Sequence, residues 1–229
     1  MCGRYNLRTT PAELAEVFGV AAATAPQQLL LRYNIAPTQS VVAIRQQESD
    51  HTTQREVTVL QWGLIPSWSK DPKIGSRMIN ARSETAAEKP SFRAAFKRRR
   101  CLIPASGFYE WDQHTQPKQP YHITPTRGGL MAFAGLWERW SPPGSEPLET
   151  CTILTTGATG TLSPIHDRMP VILPPEQFDQ WLNAESPADK LQSLLLPATE
   201  DLLELTPIST TVNNVRHAGP ECIEPLAKM

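Results

Sequence analysis

Apolar and polar residues along this chain change over in short blocks, and the blocks carry two different periods. In TTPAELAEVFG (9–19) the apolar positions Leu14, Val17 and Phe18 fall on one helical stripe. Thr10 is placed to cap the helix, Pro11 suits its first turn and Gly19 stops it. PSFRAAFKRRR (90–100) predicts a second helix with Phe92, Ala95 and Phe96 inward and its basic run, 97–100, as a solvated end. SPADKLQSLLL (186–196) repeats the serine-then-proline start at Ser186 and Pro187, and PEQFDQWL (175–182) predicts another short helix. Between these lie segments of β character at 41–45, 56–64, 101–111, 121–125, 130–140, 150–156 and 170–173. Turn-rich gaps separate several of them, as in antiparallel hairpins. They do not alternate regularly with helices, so the pattern predicts an α+β fold and not a doubly wound parallel one.

Composition narrows the picture. The 229 residues can bury a sizeable core as one domain, and no internal repeat or low-complexity linker divides them, so 1–229 is expected to be a single domain. The 22 prolines are roughly twice average usage and predict short elements joined by shaped loops. No apolar run approaches the roughly 18 residues a membrane span needs, and the start lacks a signal peptide's apolar core. A cytoplasmic protein is expected, nuclear if the source is eukaryotic, with no membrane partner. Four widely separated cysteines without CxxC spacing argue against a zinc ribbon or a disulfide framework, so no metal and no cofactor are expected. A net charge of −1 gives no global attraction to nucleic acid, and any DNA contact needs a local basic surface.

The chemistry starts at MCGRYN. Removal of Met1 would leave Cys2 with a free α-amine beside a thiol. The amine's reference pKa of about 7.7–8.0, against about 10.4 for lysine, leaves roughly a tenth of it unprotonated at pH 7. Such an amine attacks aldehydes at neutral pH, and the neighbouring thiol can close on the imine carbon to give a five-membered thiazolidine. Position alone equally allows Cys2 to be a small semi-apolar residue near an end. Four further stretches carry polar groups in unexpected places. RYNIAPTQ (32–39) reads as a tight, shaped loop holding Asn34 and Pro37. MINARSET (78–85) puts Asn80, Arg82 and Glu84 on one side if extended. SGFYEW (106–111) sets Glu110 between Tyr109 and Trp111, an environment that perturbs a carboxyl. SPIHDRMP (163–170) sets His166, Asp167 and Arg168 between prolines. Each has an ordinary reading as well: a structural histidine, an exposed strand carboxylate, a turn asparagine, a surface ion pair of little energetic consequence.

Taken together, MCGR, RYNIAPTQ, WGLIPSW, INARSET, GFYEW and IHDRMP, in this order and at this spacing, resemble the SOS response-associated peptidase (SRAP) family of abasic-site processing proteins. The likeness runs from residue 2 to about 220, where VNNVRHAGPECIEP resembles the family's closing segment. It implies a single α+β domain with mainly antiparallel sheets in a barrel-like core and flanking helices. It also implies covalent trapping of abasic sites in single-stranded DNA as a thiazolidine at Cys2, with autoproteolytic or aminopeptidase unmasking of that residue. By the same resemblance Asn80 would hold the sugar oxygens, Glu110 would move protons during ring opening and imine formation, and His166 would act as acid or base at the sugar hydroxyl. Arg4, Arg82 and Arg168 would bind phosphates, Asn34 and Pro37 would shape the pocket wall, Trp62 and Trp68 would stack on or wedge beside bases unless they simply pack in the core, and the run 97–100, if not only a solvated helix end, would line the DNA path. A stoichiometric trap is expected to be a monomer. Three other readings compete: an N-terminal-nucleophile glutamine amidotransferase, which also begins Met-Cys-Gly but whose Asn-Gly element is missing because Ala81 follows Asn80; a cysteine protease using Cys2, His166 and Asp167; and a non-enzymatic single-strand-binding module.

Overall fold

The computed structural model describes residues 2–24, 26–47, 54–199 and 201–226. The thirteen strands are β1 (Tyr5–Arg8), β2 (Leu31–Ile35), β3 (Ser40–Gln46), β4 (Arg55–Trp62), β5 (Asn80–Arg82), β6 (Arg100–Ala105), β7 (Gly107–Trp111), β8 (Pro120–Pro125), β9 (Met131–Trp140), β10 (Leu148–Gly157), β11 (Arg168–Pro170), β12 (Ile172–Leu173) and β13 (Leu203–Pro207). The α-helices are α1 (Pro11–Phe18), α2 (Ser83–Ala86), α3 (Arg93–Arg98), α4 (Phe178–Leu182) and α5 (Ala188–Ser193).

Five strands close on themselves. Antiparallel pairing links β4 to β3, β3 to β6, β6 to β9 and β9 to β10, and a parallel pairing of β10 with β4 completes the ring. The inner barrel strands β6 and β9 are almost continuously buried, as in RCLIPA and MAFAGLWE, because both of their faces are covered, whereas β4 is mostly half-buried. That second sheet is antiparallel, in the order β13-β8-β7-β1-β2. It packs on the barrel through Tyr5, whose ring meets Trp62 at 5.4 Å and Phe133 at 6.0 Å, both edge-on, and through Phe108, 5.9 Å from Phe133. One hydrophobic cluster runs from Tyr5 and Phe108 into the barrel.

The segment expected at 101–111 as one strand is two. Ser106 breaks it, sending β6 into the barrel and β7 into the second sheet. Likewise 170–173 divides, with β11 on β10 and β12 on β9. RYNIAPTQ is not all loop: Arg32 to Ile35 lie in β2, and only the residues after them form the turn, where Thr38 takes φ 70°. Glu84 does not share an extended face with Asn80 and Arg82, because the strand ends at Arg82 and Glu84 is already in α2.

Helix α1 forms as its sequence dictates: Thr10 accepts from the Glu13 N–H at 3.1 Å, and Gly19 caps the far end in the left-handed region at φ 64°. Ser186, by contrast, does not cap α5; its hydroxyl donates to the Gln180 carbonyl at 2.7 Å. The run 97–100 is also more than a solvated helix end. Arg100 opens β6, is 2% exposed, and donates to the carbonyls of Phe96, Lys97, Trp181 and Asn183.

One topological detail positions the site. Strands β4 and β5 both run parallel to β10 and lie end to end along it: Cys151 pairs with Trp62, and Ile153 with Asn80. The chain leaves β10 after Trp62 and rejoins it at Asn80. The neck of this excursion is closed by the Leu64 N–H on the Met78 carbonyl at 3.1 Å and the Trp62 indole N–H on the Ile79 carbonyl at 2.8 Å. Its ends are close and its interior self-packed, so it is an Ω-type loop.

Candidate active site

Residues 2–4 continue the line of β1 past its first pair, Tyr5 with Phe108, and the Tyr109 N–H donates to the Arg4 carbonyl at 2.9 Å. This antiparallel alignment carries Cys2 alongside the end of β7, where Glu110 sits. From the other side, β5 brings Asn80, whose amide donates to the Cys2 carbonyl at 2.8 Å. Cys2 is therefore held between the two sheets, and its thiol is fully buried 3.9 Å from the Arg4 carbonyl.

The electrostatics are those of an enclosed site. Burial raises the Cys2 thiol well above its ordinary value, and the nearby Glu110 charge raises it further. Burial likewise pushes the Glu110 carboxyl from 4.5 up to about 7, with Asp167 adding to the rise. A carboxyl balanced near neutrality can give or take a proton with little cost in either direction. His166 is lowered, chiefly by burial, which favours its neutral form, while Asp167 opposes the shift. The Arg168 backbone N–H donates to His166 Nδ1 at 3.0 Å, which leaves the ring proton on Nε2. Asp167 Oδ1 also lies 3.0 Å from Nδ1, an ion pair only when the ring is protonated. Residues from three distant stretches, Cys2, Asn80 and Glu110, are thus in one place, and the Asp167 charge reaches Glu110 from the loop that carries His166.

The sequence-predicted DNA ligands divide. Arg82 is exposed and makes no ion pair among the described residues. Arg168 is clamped: it grips both Glu84 oxygens, at 2.7 and 2.9 Å, and donates to the Thr155 carbonyl at 2.6 Å. Arg4 is half-buried, bonded to Asn34 Oδ1 at 2.7 Å and to the Val212 carbonyl at 2.9 Å, with its guanidinium 6.0 Å from the Trp111 ring centre. Asn34 is buried, and its amide N–H groups face the carbonyls of Val212, Asn214 and His217. It therefore anchors the segment 212–217 and Arg4 and lines no open wall. Pro37 is half-buried in the turn between β2 and β3. Trp68 is 61% exposed on the Ω-type loop, whereas Trp62 is fully buried against Tyr5 and has no face to offer a base. Of the two readings of Trp62, base stacking and core packing, its place beside Tyr5 selects the second.

Sequence reasoning missed the anchoring role of the closing segment, where Trp111 donates to Asn213 Oδ1 at 2.7 Å. The repeated short polar residues of VNNVRH were its signal. Among the described residues, no group of three or more His, Cys, Asp or Glu side chains is arranged to hold a metal ion, and all four cysteines are free thiols. No helix among them is long and apolar enough to cross a membrane.

The chain is a closed barrel beside an antiparallel sheet, with Cys2 held between Asn80 and the Glu110 carboxyl. The family model described as SOS response associated peptidase matches residues 1–215, and the chain belongs to that family. Among its relatives, the abasic site processing protein YoqW of Bacillus subtilis (strain 168) is 43% identical over 226 residues, covering 98% of this chain and 99% of that protein. The abasic site processing protein HMCES of Gallus gallus is 39% identical over 206 residues, which cover 79% of this chain and 60% of that longer one. A crystal structure of a protein from Bacteroides thetaiotaomicron matches with a TM-score of 0.84 at 26% identity, over 99% of this chain and 100% of that one.

Proposed function

We propose that this protein processes abasic sites in single-stranded DNA by capturing the ring-opened sugar aldehyde on Cys2 once Met1 has been removed, by self-cleavage or by an aminopeptidase. The observation that carries this reading is the placement of Cys2: its carbonyl is held by Asn80 at 2.8 Å, and its thiol lies within the field of a carboxyl balanced near pH 7. The names of the relatives support the substrate.

The order of bond formation follows from the two pKa values. The buried thiol resists ionisation, so the α-amine, with a reference pKa of about 7.7–8.0, attacks first. It adds to the aldehyde carbon, the carbinolamine loses its hydroxyl as water with a proton from Glu110, and a protonated imine results. The thiol then adds across the carbon–nitrogen double bond, giving its proton to the Glu110 carboxylate, and the thiazolidine closes. Amine, thiol and aldehyde have become thiazolidine and one water, with Glu110 restored. Neutral His166, carrying its proton on Nε2, serves the sugar hydroxyl during ring opening, and Asn80 orients both the residue-2 backbone and the sugar. Arg82, without an ion pair among the described residues, holds a flanking phosphate, Arg168 braces the site through Glu84, and Trp68 offers a stacking face. The protein acts as a monomer, and the peptidase in the family name describes maturation.

The test is a denaturing gel of protein with a single-stranded oligonucleotide bearing one abasic site, the free Cys2 terminus having been verified by mass spectrometry. Wild type gives a lesion-dependent shifted band without reductant. Cys2→Ala keeps the amine and gives the band only with borohydride, which reduces the imine. A band in Cys2→Ala without borohydride would overturn the thiazolidine, and no band from wild type would overturn the trap.

A further inference from the structure

A basic groove lies outside the site described above. It is a cavity of about 630 Å³ between α3 and α5, with Arg93, Lys97 and Arg98 at its edge, a floor that includes Phe96, Leu191 and Pro187, and Glu185 as its acidic lining residue. The cations are exposed, and none forms an ion pair among the described residues, whereas Arg45, Arg55, Arg99 and Arg168 are each matched to a carboxylate. In a chain of net charge −1, three unmatched cations around one concavity are a local concentration of positive potential.

The groove is joined to the candidate site through α2. Ala87, one residue beyond α2, lines it, and α2 follows directly from β5, which carries Asn80 and Arg82. Gln192 of α5 donates to the Ser83 carbonyl at 3.2 Å, which ties the far wall of the groove to the first residue of α2. The order Arg82, α2, groove offers a strand leaving the lesion one path to this concavity. Cations at the edge suit phosphates, and the exposed apolar residues Ala94, Pro187 and Ala188 beside them suit sugars, whatever the sequence.

We propose that the α3–α5 groove is a second contact for single-stranded DNA, binding the backbone on one side of the lesion several nucleotides beyond the trapped sugar. The inference rests on the reading of the site as an abasic-site trap. Its experiment compares wild type with Arg93→Ala/Lys97→Ala/Arg98→Ala and with Glu185→Lys, using abasic oligonucleotides with a long flank on the 5′ side only, the 3′ side only, or neither. Both non-covalent affinity against salt and crosslink yield are read, and thermal melting controls for folding. The triple variant is expected to weaken binding of one long-flank oligonucleotide at least tenfold. The slope of log affinity on log salt should shrink by about 0.7 for each lost phosphate contact. Crosslinking of the flankless oligonucleotide should be unchanged, and Glu185→Lys should tighten the same long-flank complex. Equal affinity and slope in all three proteins would overturn the groove while leaving the trap standing, as would equal losses on all three oligonucleotides. Failure of wild type to crosslink any abasic oligonucleotide would overturn the underlying reading instead.

Discussion

Glu110 shows at the scale of one residue how burial sets chemistry. Flanked by Tyr109 and Trp111 and 3% exposed, it keeps its proton to about pH 7, whereas the unfolded chain releases it near 4.5. Between those values the folded state binds the extra proton, so this residue's contribution to stability falls as pH rises, by about 3 kcal/mol in all. Glu110→Gln removes that dependence. Its stability relative to wild type, measured by urea denaturation, should climb by about 3 kcal/mol from pH 4.5 to 8; a difference that stays flat would mean that Glu110 titrates like an exposed carboxylate. His122, buried and lowered to about 4, acts in the opposite sense, its contribution growing as pH rises from about 4 to 6.5, but it is common to both proteins and cancels in the difference. The unusual carboxyl was legible in the sequence because two aromatic neighbours imply desolvation. The core position of Trp62 was not, because an aromatic beside glycine and proline reads alike whether it faces a base or Tyr5.

At the scale of elements, pattern revealed the barrel strands and helix α1, and missed four strands whose identity depends on partners. β1, β2, β5 and β13 are short and carry polar residues, and each is stabilised by pairing with sequence far away, as Arg32 is with Leu7 and Thr206 with His122. The closure of the barrel by a parallel contact between β4 and β10 leaves no local trace at all. The Ω-type loop is legible only in part, through its glycines. Gly63 adopts φ 126°, and a Cβ there would lie 2.7 Å from the Gly75 carbonyl oxygen. Backbone to backbone contact at that point lets the loop close and returns Asn80 to β10. Gly63→Ala is therefore expected to cost at least 1–3 kcal/mol in urea denaturation through backbone strain alone. It should also slow crosslinking by displacing Asn80. A loss below about 0.5 kcal/mol would show that the neck yields easily.

Across the whole molecule, one core joins the barrel to the second sheet, with Tyr5, Trp62, Phe108 and Phe133 at the junction. A shared core predicts a single cooperative unfolding transition. Trp62→Ala should lower stability by about 3–5 kcal/mol and keep the transition single, since both layers lose the same contact. Two separated transitions, by circular dichroism and tryptophan fluorescence, would show instead that the layers fold independently. Trp68→Ala on the exposed loop should leave the melting curve unchanged and weaken single-stranded DNA binding by about 1–3 kcal/mol.

Strand β10 has one more consequence. Arg82 lies opposite its Thr155 on one side and Arg168 opposite its Gly157 on the other, so two arginines flank a single strand two residues apart along it. Neighbouring strands stand about 4.8 Å apart and residues rise about 3.3 Å along a strand, which sets the backbones of the two arginines about 12 Å from each other across β10. That separation is written in the ladder and does not change with loop motion. The two arginine stems are thus held to one gauge by the sheet itself, before any side chain rotates.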